Sequence, residues 1–367
     1  MSGFSFNSVP DSGFPPGVKA FPLSRALRVG VITDSQGSRG CGTGPYSMDG
    51  ARALSYPTRL AAWLRKMGFQ ASSESLSEYN NNEAGAAALP LYDPRYSAGT
   101  FSVAAGTGLG GLLITKTAAA ASGVGRFAPS TPINTFEVWT PVNTYGTLNC
   151  RIDTEAVVPV AQNGTPAFKK TLITSTAGVG QHALTIEKQG GAGATAVFLN
   201  TIIAYNSLIN DIRIINLGAR GWSTTDWLVA DQPWRAFPGL AAMQFDIVIV
   251  MLGTNDRRVG GSGNSLATYL ANLQSIITQC AAAKVILAMP MPINPANVST
   301  FTDAQMLAGL KTLASDNKAA LFRSDLFLGP WVAEKTADAL HWKAPASDLV
   351  GAGLATIVAQ AAIDLAA

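Results

Sequence analysis

The chain has 367 residues, 47% of them hydrophobic and only 13% charged, with 26 Lys and Arg against 23 Asp and Glu for a net charge of +3. That is ample apolar material for a large core and about half the usual share of charge; with no Lys/Arg run, nucleic acid and anionic membranes are poor partners. No apolar stretch of bilayer-spanning length and no basic-then-apolar leader is visible, and the three cysteines (Cys41, Cys150, Cys280) and two histidines lack metal-ligand spacing.

The first 26 residues, with Pro10, Pro15, Pro16 and Pro22, read as an extended arm or linker. Ala26 to Thr33 is a short apolar run rich in β-branched residues, as a buried strand requires. Tyr56 to Met67 carries Leu60, Trp63, Leu64 and Met67 on one helical face and stops at Gly68. A short strand follows at Phe69 to Leu76.

From Ser97 to Tyr205 the texture changes. Strands are expected at Thr135–Trp139, Gly146–Ile152, Phe168–Thr174, His182–Glu187 and Ala196–Ala204, with Asn163-Gly164 and Gly190-Gly191 as turns. This pattern suggests an antiparallel β-sandwich of roughly one hundred residues. His182 reads as an ordinary strand histidine. The cysteines read as three thiols, or as one disulfide plus a thiol.

At Asp211 strands and helices begin to alternate. Strands are expected at Ile212–Leu217, Phe245–Leu252, Lys284–Met289 and Ala319–Ser324. Helices are expected at Leu266–Ala283, Asp303–Ser315 and Ser347–Leu365, the last capped by Ser347. Alternation of this kind gives an α/β, doubly wound parallel sheet. The sandwich (97–205) is then an insertion into an α/β domain made of 27–96 and 206–367.

Ligands of such sheets bind beyond the carboxyl ends of the strands. Three polar loops leave strands there: Asp34-Ser35-Gln36-Gly37, Asn216 to Gly221, and Gly253-Thr254-Asn255-Asp256. Asp338-Ala339-Leu340-His341, ahead of the last helix, reaches the same edge. A serine becomes a nucleophile when a base takes its proton, and the base needs a partner that orients it. A strand-end serine with a late Asp-x-x-His therefore points to acyl transfer.

In this order the four segments resemble the blocks of the SGNH hydrolases, the GDSL-type esterase and acetylesterase superfamily, whose sheet is flavodoxin-like. The resemblance covers residues 27–78 and 211–365. It departs at Thr33, where the family usually has glycine. It implies Ser35 as nucleophile, His341 as base and Asp338 as its orienting carboxylate. It implies an oxyanion hole made by the Ser35 and Gly218 backbone N–H groups and the Asn255 amide. Asp34 and Asp256 would order the loops. Trp222 and Trp342 adjoin the blocks and are candidate cleft walls; Tyr46, Arg220, Arg39 and Arg257 are candidate substrate contacts. No metal and no other cofactor is expected.

The expected function is a serine esterase that removes short acyl groups, above all O-acetyl, from a glycan. The insert would bind carbohydrate, shape the cleft or make a subunit contact, so an oligomer stays open. A short-chain lipid or aryl esterase or a thioesterase is one alternative. A virion or cell-surface glycan-binding protein with a subordinate esterase is another. The neutral polar surface favours an extracellular or virion-associated setting.

Overall fold

A computed structural model describes residues 21–38, 50–78, 88–103, 108–116, 124–190, 195–282, 284–338 and 340–366. Most of the N-terminal arm, with Arg39, Cys41 and Tyr46, lies outside them. The first strand, β1 (Leu27–Thr33), is where the apolar run placed it. The helix expected from Tyr56 spans Tyr56–Lys66. The single strand expected at Phe69–Leu76 is two: β2 (Ala71–Ser72) and β3 (Ser75–Leu76). The chain turns from one sheet to the other at Ser73, whose carbonyl accepts from Arg52 and Arg95 instead of from a strand.

The inserted region contributes β4 (Tyr96–Ser97), β5 (Ser102–Val103), β6 (Ile114–Lys116), β7 (Val124–Phe127), β8 (Thr135–Ile152), β9 (Val158–Thr174), β10 (Leu184–Lys188), β11 (Val197–Leu199) and β12 (Thr201–Tyr205). The α/β part resumes with β13 (Ile212–Asn216), β14 (Ile247–Met251), β15 (Lys284–Met289) and β16 (Ala320–Arg323).

The strands of the α/β part form one parallel sheet in the order β16-β15-β14-β1-β13-β2. β1 is central, with Val31 level with Asn216 of β13 and Thr33 level with Met251 of β14. The three loops singled out from the sequence thus leave three adjacent strands at one edge. Side chains of β1 alternate between faces, as the pleat requires. Val29 and Val31 pack with Leu60 and Leu64 and with Val350 and Leu354 on one face. Ile32 packs on the other with Leu217, Leu240, Leu273 and Leu310.

The last helix runs Ala344–Ala366. Ser347 lies inside it, not at its N-cap, because Pro345 sits in the first turn, where its missing N–H costs nothing. Contrary to the sequence reading, this helix is long and apolar enough to cross a membrane by length and composition. Its Val350, Leu354, Val358 and Ala362 are buried against the sheet. A helix that is apolar nearly all round is what a central core position produces. A helix absent from the sequence reading, Ala236–Met243, covers the opposite face.

Among the described residues, the antiparallel part has two sheets. One runs β3-β12-β8-β10-β7-β4 with β9 along β8; the other runs β11-β6-β5. They share one apolar cluster, Phe136, Val138 and Leu148 from the first with Ile114, Val197 and Leu199 from the second. The two strands expected within 135–152 are one long strand, paired with β9. Asn163-Gly164 is not the turn between strands. It lies within β9, opposite register shifts between Val142 and Thr147, and the turn falls instead at 153–157. A glycine inside a strand commonly marks such an irregularity. His182 precedes β10 and pairs with Asp153 at 2.7 Å. Cys150 and Cys280 are buried free thiols.

Candidate active site

The site begins where β1 ends. A short helix, Ser35–Ser38, follows at once. Asp34 organises the turn: its carbonyl accepts from Gly37 N at 3.1 Å and Ser38 N at 3.3 Å, and its Oδ1 accepts from Gln36 N at 2.8 Å. The departure at Thr33 is matched four residues later in the chain, at Gly37. A Cβ on Gly37 would lie 2.1 Å from the Thr33 methyl, so a side chain at 33 requires none at 37.

The histidine loop closes on itself before the last helix. Ala337 N donates to His341 O at 2.7 Å. Asp338 Oδ1 accepts from Leu340 N at 2.8 Å and His341 N at 2.7 Å. Asp338 Oδ2 lies 2.7 Å from His341 Nδ1, and His341 Nε2 lies 2.9 Å from Ser35 Oγ. A carboxylate only accepts, so Nδ1 carries the proton and Nε2 offers its lone pair to the serine hydroxyl. Burial alone would raise the Asp338 carboxyl. The His341 side chain, its charge and the two backbone N–H groups outweigh that and hold the carboxyl well below its usual range. Ser35 is 6% and His341 7% exposed.

Gly218 and Asn255 flank the serine from the neighbouring strands. The Gly218 N–H donates to Asn216 Oδ1 at 2.9 Å, and Asn216 Nδ2 donates to Gly37 O at 3.0 Å. An oxyanion would share that N–H with Asn216. A Cβ on Gly218 would meet the backbone N of Ser38 at 2.8 Å, so the glycine is demanded by the packing of the two loops. Asn255 Nδ2 donates one hydrogen to Trp222 O at 2.9 Å; it carries two.

Behind these groups lies a buried polar layer. Asp256 accepts from Thr224 N and Oγ1 and from Asn264 Nδ2, tying the second loop to the third. Burial raises its carboxyl despite these bonds. Asp34 is pushed up to about 7, first by burial and also by the charge of Asp256, against the pull of the Gln36 N–H, Thr254 and Arg257.

Of the expected substrate contacts, Trp222 is half-buried beside Asn255 and packs edge-on against Trp227 at 5.2 Å. Arg220 is half-buried in the same loop. Trp342 is not a cleft wall: it is 0% exposed, and its indole donates to Pro292 O. Its neighbour His341 turns to Asp338 and Ser35 while Trp342 turns to the core. Arg257 is likewise buried and bonded to Asp303. Tyr46 and Arg39 lie outside the described residues. Sequence reasoning missed Gln36 and Asn216, which fix the loops; a polar residue directly after the serine was the available signal. Among the described residues, no group of three or more His, Cys, Asp or Glu side chains could hold a metal ion.

Residues 175–346 match the model of the GDSL-like Lipase/Acylhydrolase family. The segment contains Gly218, Asn255, Asp338 and His341 but not Ser35. No curated protein matches the chain by sequence. Among solved structures, one described as a peptidoglycan O-acetylesterase is 16% identical with a TM-score of 0.66, over 93% of this chain and 92% of that one. A family two carbohydrate esterase from Cellvibrio japonicus is 11% identical with a TM-score of 0.34, over 74% and 97%. A lipase/acylhydrolase from Enterococcus faecalis is 21% identical with a TM-score of 0.34, over 40% and 76%. At these identities the first shares the fold, and the other two add nothing to it. With this sheet, these loops and the family match over 175–346, the chain carries a GDSL-like lipase/acylhydrolase domain, consistent with the SGNH hydrolases, and is an esterase.

Proposed function

We propose that the chain is a glycan O-acetylesterase working through a Ser35 acyl-enzyme. The observation that carries the reading is the line Asp338 Oδ2–His341 Nδ1, 2.7 Å, and His341 Nε2–Ser35 Oγ, 2.9 Å. Ser35 Oγ attacks the ester carbonyl as His341 Nε2 takes its proton. Asp338 stabilises the imidazolium. The negative oxygen is met by the Ser35 and Gly218 N–H groups and the second hydrogen of Asn255 Nδ2. His341 returns the proton to the departing alcohol. Water then attacks the acyl carbon, gives a proton to His341, and acetate leaves as Ser35 regains its hydrogen.

The glycan preference draws support from the weakly charged chain, from the antiparallel insert beside the site, and from the like-folded protein described as a peptidoglycan O-acetylesterase. We assign polymer recognition to the insert, 97–205, and chemistry to 27–96 and 206–367. Acetate release from O-acetylated peptidoglycan and acetylated polysaccharides, set against nitrophenyl esters of increasing chain length, tests the reading with Ser35→Ala as control. Acetyl glycans should be the best substrates. A preference for longer acyl chains or thioesters would replace the glycan reading.

A further inference from the structure

The loops of Ser35 and His341 come from opposite ends of the chain. Among the described residues, two hydrogen bonds join them directly. One is Ser35 Oγ to His341 Nε2. The other runs from Gln36 Nε2 to the carbonyl oxygen of Leu340 at 2.7 Å. A carbonyl only accepts, so the amide nitrogen must face it. The Gln36 side chain starts from an anchored backbone, since its own N–H is held by Asp34 Oδ1, and it is 2% exposed. It ends on the residue next to the base.

The first of these bonds does not survive the reaction. Once Ser35 Oγ carries an acyl group it has no hydrogen to donate to His341. The second bond is untouched by the chemistry. We propose that Gln36 is a positioning residue for deacylation, holding His341 over the acyl-enzyme through Leu340 O while His341 Nε2 takes a proton from the attacking water. The step is balanced: the water oxygen bonds to the acyl carbon, its proton passes to His341 and then to Ser35 Oγ, and the Ser35 ester bond breaks. The inference rests on the Ser35 acyl-enzyme reading.

Misplacing a catalytic group by an ångström costs roughly a hundredfold in rate. Gln36→Met keeps the length of the side chain and removes the donor. Gln36→Glu keeps the shape and sets an acceptor against the carbonyl. Each variant is followed with nitrophenyl acetate by rapid quench, with the Ser35 peptide weighed for its acetyl group and a melting curve as folding control. Acylation should stay within about threefold of the unaltered protein, while deacylation falls roughly tenfold to a hundredfold. Acetyl-Ser35 should then accumulate, with kcat and KM falling together and kcat/KM nearly constant. A merely structural role would lower both steps alike. Equal loss in both steps, or no loss in either, overturns the proposal. A wild-type Ser35 that never takes the acetyl group overturns the esterase mechanism itself, a separate outcome. If Gln36→Met does not fold, Gln36→Glu is read in the same way.

Discussion

Arg28 of β1 and Glu137 of β8 form a two-pronged ion pair, with Nη1–Oε2 at 2.9 Å and Nη2–Oε1 at 3.0 Å. Glu137 Oε1 also accepts from Trp139 Nε1 at 2.6 Å. Trp139, Ile203 and Tyr205 of the insert sit in the same cluster as Ile32 and Leu217 of the central sheet. The insert is therefore keyed into the catalytic core, and excising it would strip that core. Glu137→Ala leaves the part-buried Arg28 without this partner, at a cost of up to about 3–5 kcal/mol, the range for a fully buried pair. For a chain of this size that is a fall in Tm of roughly 5 °C. Calorimetry showing no change would mean that the pair contributes nothing to the junction.

Ser35→Ala should lower kcat by roughly 10⁴-fold to 10⁶-fold while the melting curve stays close to that of the unaltered protein. A fluorophosphonate should add a single mass at Ser35. Labelling at another serine, or activity that survives the substitution, would move the nucleophile elsewhere.

Asn255→Ala should lower kcat by about a hundredfold to a thousandfold and change KM little, as for loss of one preorganised donor. In the proposed mechanism the Gly218 N–H is shared with Asn216 Oδ1, whereas Asn255 Nδ2 keeps a second hydrogen beside the one given to Trp222 O. Near-normal kcat would place the oxyanion away from Asn255.

Asp34 makes stability depend on pH. Its folded carboxyl titrates near 7 against an ordinary value of 3.8, chiefly because it is buried. The folded state thus holds more protons than the unfolded one between those values, and stability falls as pH rises through that window. The contribution is at most about 4 kcal/mol. Asp34→Asn mimics the protonated form and should stabilise the protein at pH 8 relative to pH 4. Urea titrations with parallel pH profiles for the two proteins would contradict this.

Among the described residues, neither histidine lies in a ligand cluster: His341 pairs with Asp338 and Ser35, and His182 with Asp153 and Gly178 O. Hydrolysis of a small acetyl ester should continue after prolonged treatment with EDTA. Loss of activity that zinc or calcium restores would require a metal in the mechanism.

Local sequence settled several elements that depend on nearest neighbours, though not the N-cap at Ser347 or the helix Ala236–Met243. The apolar run of β1, the helix face of Leu60, Trp63 and Leu64 and the capping box of Thr302 and Gln305 at Asp303–Asp316 are short-range patterns, and the chain obeys them; Met67, read onto the same face, caps the helix and is exposed. Ser35, Gly218, Asn255 and His341 could be brought to one edge from the strand reading alone, because loops at the carboxyl ends of neighbouring parallel strands must converge. Only the tertiary structure decided matters that depend on partners distant in the chain. Phe69–Leu76 divides between two sheets because Arg52 and Arg95 claim Ser73 O. Asn163-Gly164 becomes a strand irregularity because β8 supplies a partner on either side of it. Trp342 goes to the core and its neighbour His341 to Ser35, a choice set by what packs on each side. Gln36 meets Leu340, 304 residues away, and no local pattern encodes a contact of that span.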